Sequence, residues 1–256
     1  MRSTRCLLVW LPLLASLSVG AMAQPTEAPD VNRPGRGIFA AYDFNWHSAD
    51  FTEMPGVPAC CPGFKKGDGR GVSFGTFYRL PLERTLAIDI RLGYDGYGGT
   101  LTADEHVTVT VGGQRVNGIF RHTIETSLAS IGIEPLLSVR VWDRLSILAG
   151  PRLAIVVTKT YEQKEMIVEP AGLGAYYETG TNTRNVSAGD LPQASRMHAA
   201  VLAGVRYDVP LNARGTLIAA PEVIASYGIT PVVRGITWNV SSLRCGISII
   251  YSSSDD

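Results

Sequence analysis

The chain has 256 residues with 27 Gly, 15 Pro, 4 Cys and 18% charged residues, which excludes a collagen-like repeat and a charge-driven disordered tail. Its 23 Lys and Arg balance 23 Asp and Glu, so the basic excess that drives binding to a phosphate backbone is missing and no nucleic acid is expected as a partner. No repeat of about 20 to 50 residues recurs, and past the first residues no apolar run reaches the roughly 18 residues of a spanning helix.

The N-terminus is laid out as an export signal. Arg2 and Arg5 precede a mostly apolar stretch over residues 6–19, and Ala21-Met22-Ala23 supplies a small-x-small pattern before Gln24, so cleavage is expected after Ala23. Pro12 and the shortness of the stretch argue against a membrane anchor, and Cys6 lies before it rather than at its end, where a lipid anchor would be attached. Residues 24–36, rich in Pro, Gly and polar groups, read as a flexible leader.

From residue 37 the chain alternates with period two. Leu86, Ile88, Ile90, Leu92 and Tyr94 share one face, and Ala87, Asp89, Arg91, Gly93 and Asp95 the other, which is the pattern of a strand. The same alternation over residues 37–46, 71–80, 129–141, 146–157, 197–207, 216–227 and 239–251 brings the expected total to eight strands. Short connections near residues 81–84, 142–145 and 210–215 alternate strictly with long ones near 47–70, 96–128, 158–196 and 228–238. In an up-and-down meander all the long loops then emerge at one end. That asymmetry predicts an all-β fold, an eight-stranded antiparallel up-and-down transmembrane β-barrel over residues 37–251 with four long extracellular loops and a tail at 252–256. Within the second long loop, residues 106–111 followed by Gly112-Gly113 suggest a hairpin rising above the membrane.

The face without charges in the clearest strands would meet lipid. The Gly, Ala, Ser, Asp and Arg of the other would fill a lumen just wide enough for side chains. Tyr and Trp favour the two lipid–water interfaces, and they fall at the strand ends: Trp46, Tyr94, Tyr227 and Trp238 beside the long loops, and Tyr78, Trp142, Tyr207 and Tyr251 beside the short turns or the C-terminus. Pro135, Pro151 and Pro221 fall inside strands and call for bulges or local distortion, while Leu136, Leu202, Ile218, Ile224 and Ile250 make the lumen partly apolar.

With these features the chain resembles the family of small bacterial outer-membrane β-barrel proteins, the porin-like or outer-membrane-protein-A-like barrel domain. The strand–turn–strand over residues 136–152, with Ile147-Leu148-Ala149-Gly150-Pro151-Arg152 entering the fifth strand, and the last strand ending at Tyr251 carry the likeness, which is one of pattern over residues 37–251. It implies a monomer without cofactor in the outer membrane of a Gram-negative bacterium, surrounded by outer-membrane lipids and lipopolysaccharide. Members often end on an aromatic residue that the barrel-assembly machinery recognises during insertion.

Counted from the short turns, Arg91, Glu134, Arg152, Glu222 and Arg244 point inward at similar heights and should form a layer of ion pairs plugging the lumen, with Arg152 paired to Glu134 or Glu222. His47, His106, His122 and His198 invite a hydrolase reading, and His198 falls inward near Ser226 and Glu222 by strand count. No catalytic constellation and no metal-ligand spacing emerges among the histidines and cysteines. Cys60 and Cys61, adjacent on the first long loop, are placed for a vicinal disulfide, a bridge to another molecule or a free thiol pair, and Cys245 points to lipid. The mixed-charge loop over residues 158–196, with Tyr176 and Tyr177, suits contact with lipopolysaccharide sugars or another protein, or an ordinary solvated loop. The reading is therefore a non-enzymatic structural or surface-interaction barrel. Its alternatives are a narrow channel for ions or small solutes, a membrane-embedded lipid A hydrolase, and a soluble periplasmic ligand-binding barrel.

Overall fold

The computed structural model describes residues 33–56, 63–170, 175–176 and 180–252. The export signal, most of the leader, Cys60 and Cys61, and residues 253–256 lie outside them. The strands are β1 (Gly35–Phe51), β2 (Phe64–Glu83), β3 (Leu86–Gly96), β4 (Gly99–Val111), β5 (Gln114–Trp142), β6 (Leu145–Glu169), β7 (Thr183–Asp190), β8 (Met197–Tyr207), the two-residue β9 (Val209–Pro210), β10 (Leu217–Gly228) and β11 (Thr237–Ser252).

Each of the eight alternating segments is a strand, and their antiparallel pairings form a ring. β1 pairs with β2, β2 with β3, β3 with β5, β5 with β6, β6 with β8, β8 with β10, β10 with β11, and β11 returns to β1. A ring leaves no edge within the barrel wall, so every strand there has a partner on both sides. Side chains alternate as the pleat requires: Ile38, Phe74, Leu92, Ile133, Leu153, Val201, Val223 and Ile247 stand exposed on the outside. Exposed large apolar residues all round a closed wall are what a lipid-facing surface looks like.

Inside, the lumen has two apolar groups. Phe39, Phe77, Ile218, Ala220 and Ile250 pack near the short-turn end, and Leu136, Leu148, Ala200, Leu202 and Ile224 pack along the opposite wall. All five of the aliphatic residues expected inward are among them.

At the long-loop end several strands run on beyond the ring. β4 and the upper part of β5 form a hairpin whose turn, Gly112-Gly113, has φ of 58° and 84°, the two positive angles that a type I′ turn needs. β7 pairs with the upper part of β6, so β4, β5, β6 and β7 make a four-stranded sheet standing above the barrel.

Of the two outcomes expected for the prolines, bulges or local distortion, the structure shows the second, a ladder interrupted in place. The β5–β6 ladder runs to Ile133↔Leu153 and resumes at Leu137↔Ala149 in the same register, leaving a gap in which Pro135 faces Pro151. Pro221 likewise falls between Ala219↔Val209 and Glu222↔Arg206, again with the register kept. A missing N–H removes pairing at these places without shifting the strand.

Candidate functional site

The interior of the ring is a charged network in two levels. Nearest the short turns, Asp89 on β3 accepts from Arg79 on β2 (Nε 2.9 Å, Nη2 3.3 Å) and from Arg206 on β8. Arg206 also donates to Ser138 Oγ at 3.0 Å and lies 3.2 Å from Asp208, which faces Arg140 at 3.7 Å. One level higher, Glu134 on β5 accepts from Arg152 on β6 and from Arg244 on β11 at 2.7 Å. Arg244 reaches Asp95 at 3.0 Å, and the Ser73 hydroxyl, with its one proton to donate, lies within hydrogen-bond distance of both Asp95 (2.8 Å) and Asp43. Across the same level Arg91 and Glu222 form a bidentate pair, both bonds 2.7 Å, with the guanidinium 5.1 Å and 5.3 Å from the ring centres of Phe39 and Phe77.

The five charges expected to form one layer are therefore resolved into a Glu134–Arg152–Arg244 cluster and a separate Arg91–Glu222 pair. Arg152 lies with Glu134, not with Glu222. Sequence reasoning did not include Arg79, Asp89, Arg206, Asp208, Asp43 or Asp95 in the network, although they share the inward parity of the residues it named. Among the described residues Asp43, Asp89, Asp95, Glu134, Asp208 and Glu222 face Arg79, Arg91, Arg140, Arg152, Arg206 and Arg244, so the interior charges match. That balance is a physical requirement, since each unpaired ion buried among these side chains costs several kcal/mol.

Above the charges the chemistry turns aromatic and apolar. Asn45 Nδ2 donates to the carbonyls of Gly96 and Gly98 at 3.2 Å each, on either side of Tyr97 where β3 gives way to β4. Phe51, Met54, Phe64, Leu101, Ile124 and Trp238 anchor a buried cluster that extends to Leu128, Tyr161, Leu191 and Val233 and caps the barrel at its long-loop end.

Trp238 corrects the sequence reading. Expected in an aromatic belt facing lipid, it is fully buried: its Nε1–H donates to His47 Nδ1 at 3.0 Å and its ring stacks on Phe51 at 5.3 Å. The cause is parity, because Trp238 lies six residues from the inward Arg244 on one regular strand and must share its face. The remaining belt residues face outward. Trp46, Tyr227 and Tyr94, the last stacked on Phe74 at 5.1 Å, lie toward the long loops, and Tyr78, Tyr207, Tyr251 and Trp142, 77% exposed, toward the short turns. Cys245 is exposed on the outer face.

The histidines do not converge. His198 stacks on Tyr97 (4.7 Å between ring centres) four register positions from the level of Ser226, or about 13 Å along the strand. His47 is bonded to Trp238, and His106 is exposed on β4. His122 lies between Glu105 (3.2 Å) and Glu165 (4.0 Å) in the upper sheet. No group of three or more potential metal-ligating side chains occurs among the described residues.

The upper sheet has its own polar centre. Glu165 on β6 is buried and accepts from Tyr176 OH at 2.6 Å, Arg184 Nε at 2.9 Å and Asn185 Nδ2 at 2.7 Å, which ties β7 and Tyr176 to β6. Burial pushes its carboxyl up, but the bonds from Arg184, Tyr176 and Asn185 outweigh burial and hold it below the ordinary glutamate range. Burial and the same bond to Glu165 push the Tyr176 hydroxyl up.

No family model matches the chain, and no curated protein matches it by sequence. Among solved structures it is similar to Ail, the attachment invasion locus protein of Yersinia pestis, in complex with the heparin analogue sucrose octasulfate (9% identity over 86% of this chain and 99% of that one, TM-score 0.36). It is similar also to Neisserial surface protein A (13% identity over 85% and 97%, TM-score 0.39) and to the outer membrane protease OmpT from Escherichia coli (8% identity over 87% and 97%, TM-score 0.38). By its own closed antiparallel ring, apolar outer surface, two aromatic belts and charge-matched interior, the chain has the build of a membrane-spanning antiparallel β-barrel.

Proposed function

We propose that the barrel is a sealed, monomeric support without catalytic role that holds the β4–β7 sheet above the outer membrane for contact with other molecules. The observation that carries this reading is the sheet itself. From Thr158 to Glu169, β6 adds roughly 35 Å of strand beyond the ring, and the strands outside it are open. Among the described residues, β4 meets β2 only through Gly67 and Asp68, and β7 pairs only with β6. Open edges offer rows of free N–H and C=O groups to an incoming strand, and Val107-Thr108-Val109-Thr110 carries none of the Lys or Pro that usually blunts an edge. The charged interior under an apolar cap supports a closed lumen.

The test has three arms. Purified protein in planar bilayers is expected to give no discrete conductance steps, and regular steps would favour the channel. Cells expressing a variant with residues 102–123 replaced by a two-residue turn are expected to lose surface attachment while the barrel still shows heat-dependent gel mobility. Unaltered attachment would overturn the surface role. An unchanged lipid A profile on overexpression is expected, and a deacylated product would favour the hydrolase.

A further inference from the structure

Between β3 and β4 the strand is interrupted at Tyr97 and Gly98 while its register with β2 and β5 is kept, and Asn45 bonds the carbonyls on either side of Tyr97. The backbones approach closely there: a Cβ at Gly71 would run into the carbonyl oxygen of Gly96, and one at Gly69 into that of Gly98. These glycines present no side chain, and the outer face beside them is an open groove of about 1010 Å³ that crosses β2, β5 and β6 directly above Tyr94 and ends against β7. It is large enough for several sugar rings by the usual sizes of ligand clefts.

The lining narrows the choice of occupant. Ser127, Thr158 and Thr160 offer hydroxyls that both donate and accept, and Glu125, Glu162 and Asp68 offer carboxylate acceptors, with Arg70 on the same wall. Lys164 lies 3.2 Å from Glu125 and 3.9 Å from Glu162, so three carboxylates stand against two cations and no positive excess is left for a phosphate or sulfate group. Groups this polar gain nothing from an acyl chain, whose contact would leave them without partners. A neutral polyhydroxyl chain satisfies donors and acceptors together, and Tyr94 at the lower lip supplies the half-apolar edge against which a sugar face packs.

We infer that this groove is a saccharide-binding site, built for the neutral sugar chain of a glycolipid in the surrounding leaflet or for a free glycan of the same chemistry. The inference rests on the orientation of the barrel in the outer membrane and not on the sheet edges, so loss of the attachment phenotype and loss of the groove are separately observable.

The test uses the full chain in nanodiscs followed by amide NMR. One set of discs contains phospholipid alone and is titrated with the neutral oligosaccharide released from lipopolysaccharide by mild acid and dephosphorylated. The other contains the intact glycolipid. Shifts centred on residues 125–129 and 158–162 are expected in at least one set. Shifts with free oligosaccharide identify a soluble glycan as sufficient, and shifts only in glycolipid discs identify the neighbouring headgroup. Ser127→Trp and Thr160→Trp each fill the groove from its outward wall and should weaken binding at least tenfold. Thr108→Trp, outside the groove, should not. Heat-dependent gel mobility confirms that each variant is folded. The proposal is overturned by shifts confined to the β4–β5 tip, by groove-filling variants that bind as the parent does, by no shift in either set, or by displacement of the sugar with inorganic phosphate.

Discussion

The Arg91–Glu222 pair allows the cost of interior charge to be measured directly. It joins β3 to β10 across the lumen by two bonds of 2.7 Å, with both side chains buried and the guanidinium between Phe39 and Phe77. Glu222→Gln leaves a buried cation without its counterion, a loss of about 3–5 kcal/mol, and Arg91→Met leaves the carboxylate in the same position at a similar cost. Met also keeps the contact with the two rings. The double variant removes both charges at once; replacing a buried ion pair by apolar groups is commonly neutral or stabilising by about 1–4 kcal/mol, which the buried amide left by Glu222→Gln offsets by about 1–3 kcal/mol. It should therefore unfold within about 1 kcal/mol of the parent, giving a coupling energy well above the ~0.5 kcal/mol expected of independent sites. The assay is urea unfolding of the four proteins in phospholipid vesicles, followed by tryptophan emission. Single variants that cost less than about 1 kcal/mol, or a double variant as unstable as the two losses together, would refute the argument that the interior must be charge-matched.

Quenching by brominated lipids should separate the tryptophans: variants retaining only Trp46 or Trp142 quench strongly, whereas one retaining only Trp238 does not, and strong quenching of Trp238 would return it to the outer belt. Gly71→Ala drives a methyl into the Gly96 carbonyl and should cost about 1–3 kcal/mol by overpacking, measured as a lower temperature for loss of the compact gel band. Glu165→Gln removes the charge that Arg184 bonds, and hydrogen bonds to charged groups are worth about 1.5–3 kcal/mol, so amide exchange in β7 should quicken tenfold or more. Because the Glu165 carboxyl is held below its ordinary range, its contribution is fully present above the unfolded value of about 4.3 and is lost only as pH falls through the lower folded value. β7 protection should thus stay constant from pH 7 to about 5 and fall in stronger acid, and a decline already at pH 6 would contradict this assignment.

The barrel was legible because lipid and lumen impose opposite chemistry on alternate residues, as in the stretch from Leu86 to Asp95. Above the membrane that constraint ends. Water meets parts of both faces of β7 and of the upper β6, their alternation fades, and residues 158–196 read as a loop although much of the segment is strand. Trp238 shows the reverse error: interface preference suggested one face, while two-residue periodicity from Arg244 already required the other. The partners of Arg91 and Arg152 were beyond reach for a different reason. Strand count gives height and facing, but the choice between Glu134 and Glu222 depends on which side of the lumen each guanidinium crosses.

The facing prolines bear on what holds the wall shut. In the stretch where β5 and β6 have no ladder pairing, the residues next to Pro135 and Pro151 on the inner side are Glu134 and Arg152, opposite one another in register and bonded to each other. At this seam cohesion passes from the backbone to the side chain of Arg152, which bonds Glu134 and, at 3.1 Å, the Ser130 hydroxyl, and is reinforced from β11 by Arg244. Damage to the Glu134 cluster would accordingly part the wall sideways, toward lipid, before it opened any passage along the axis.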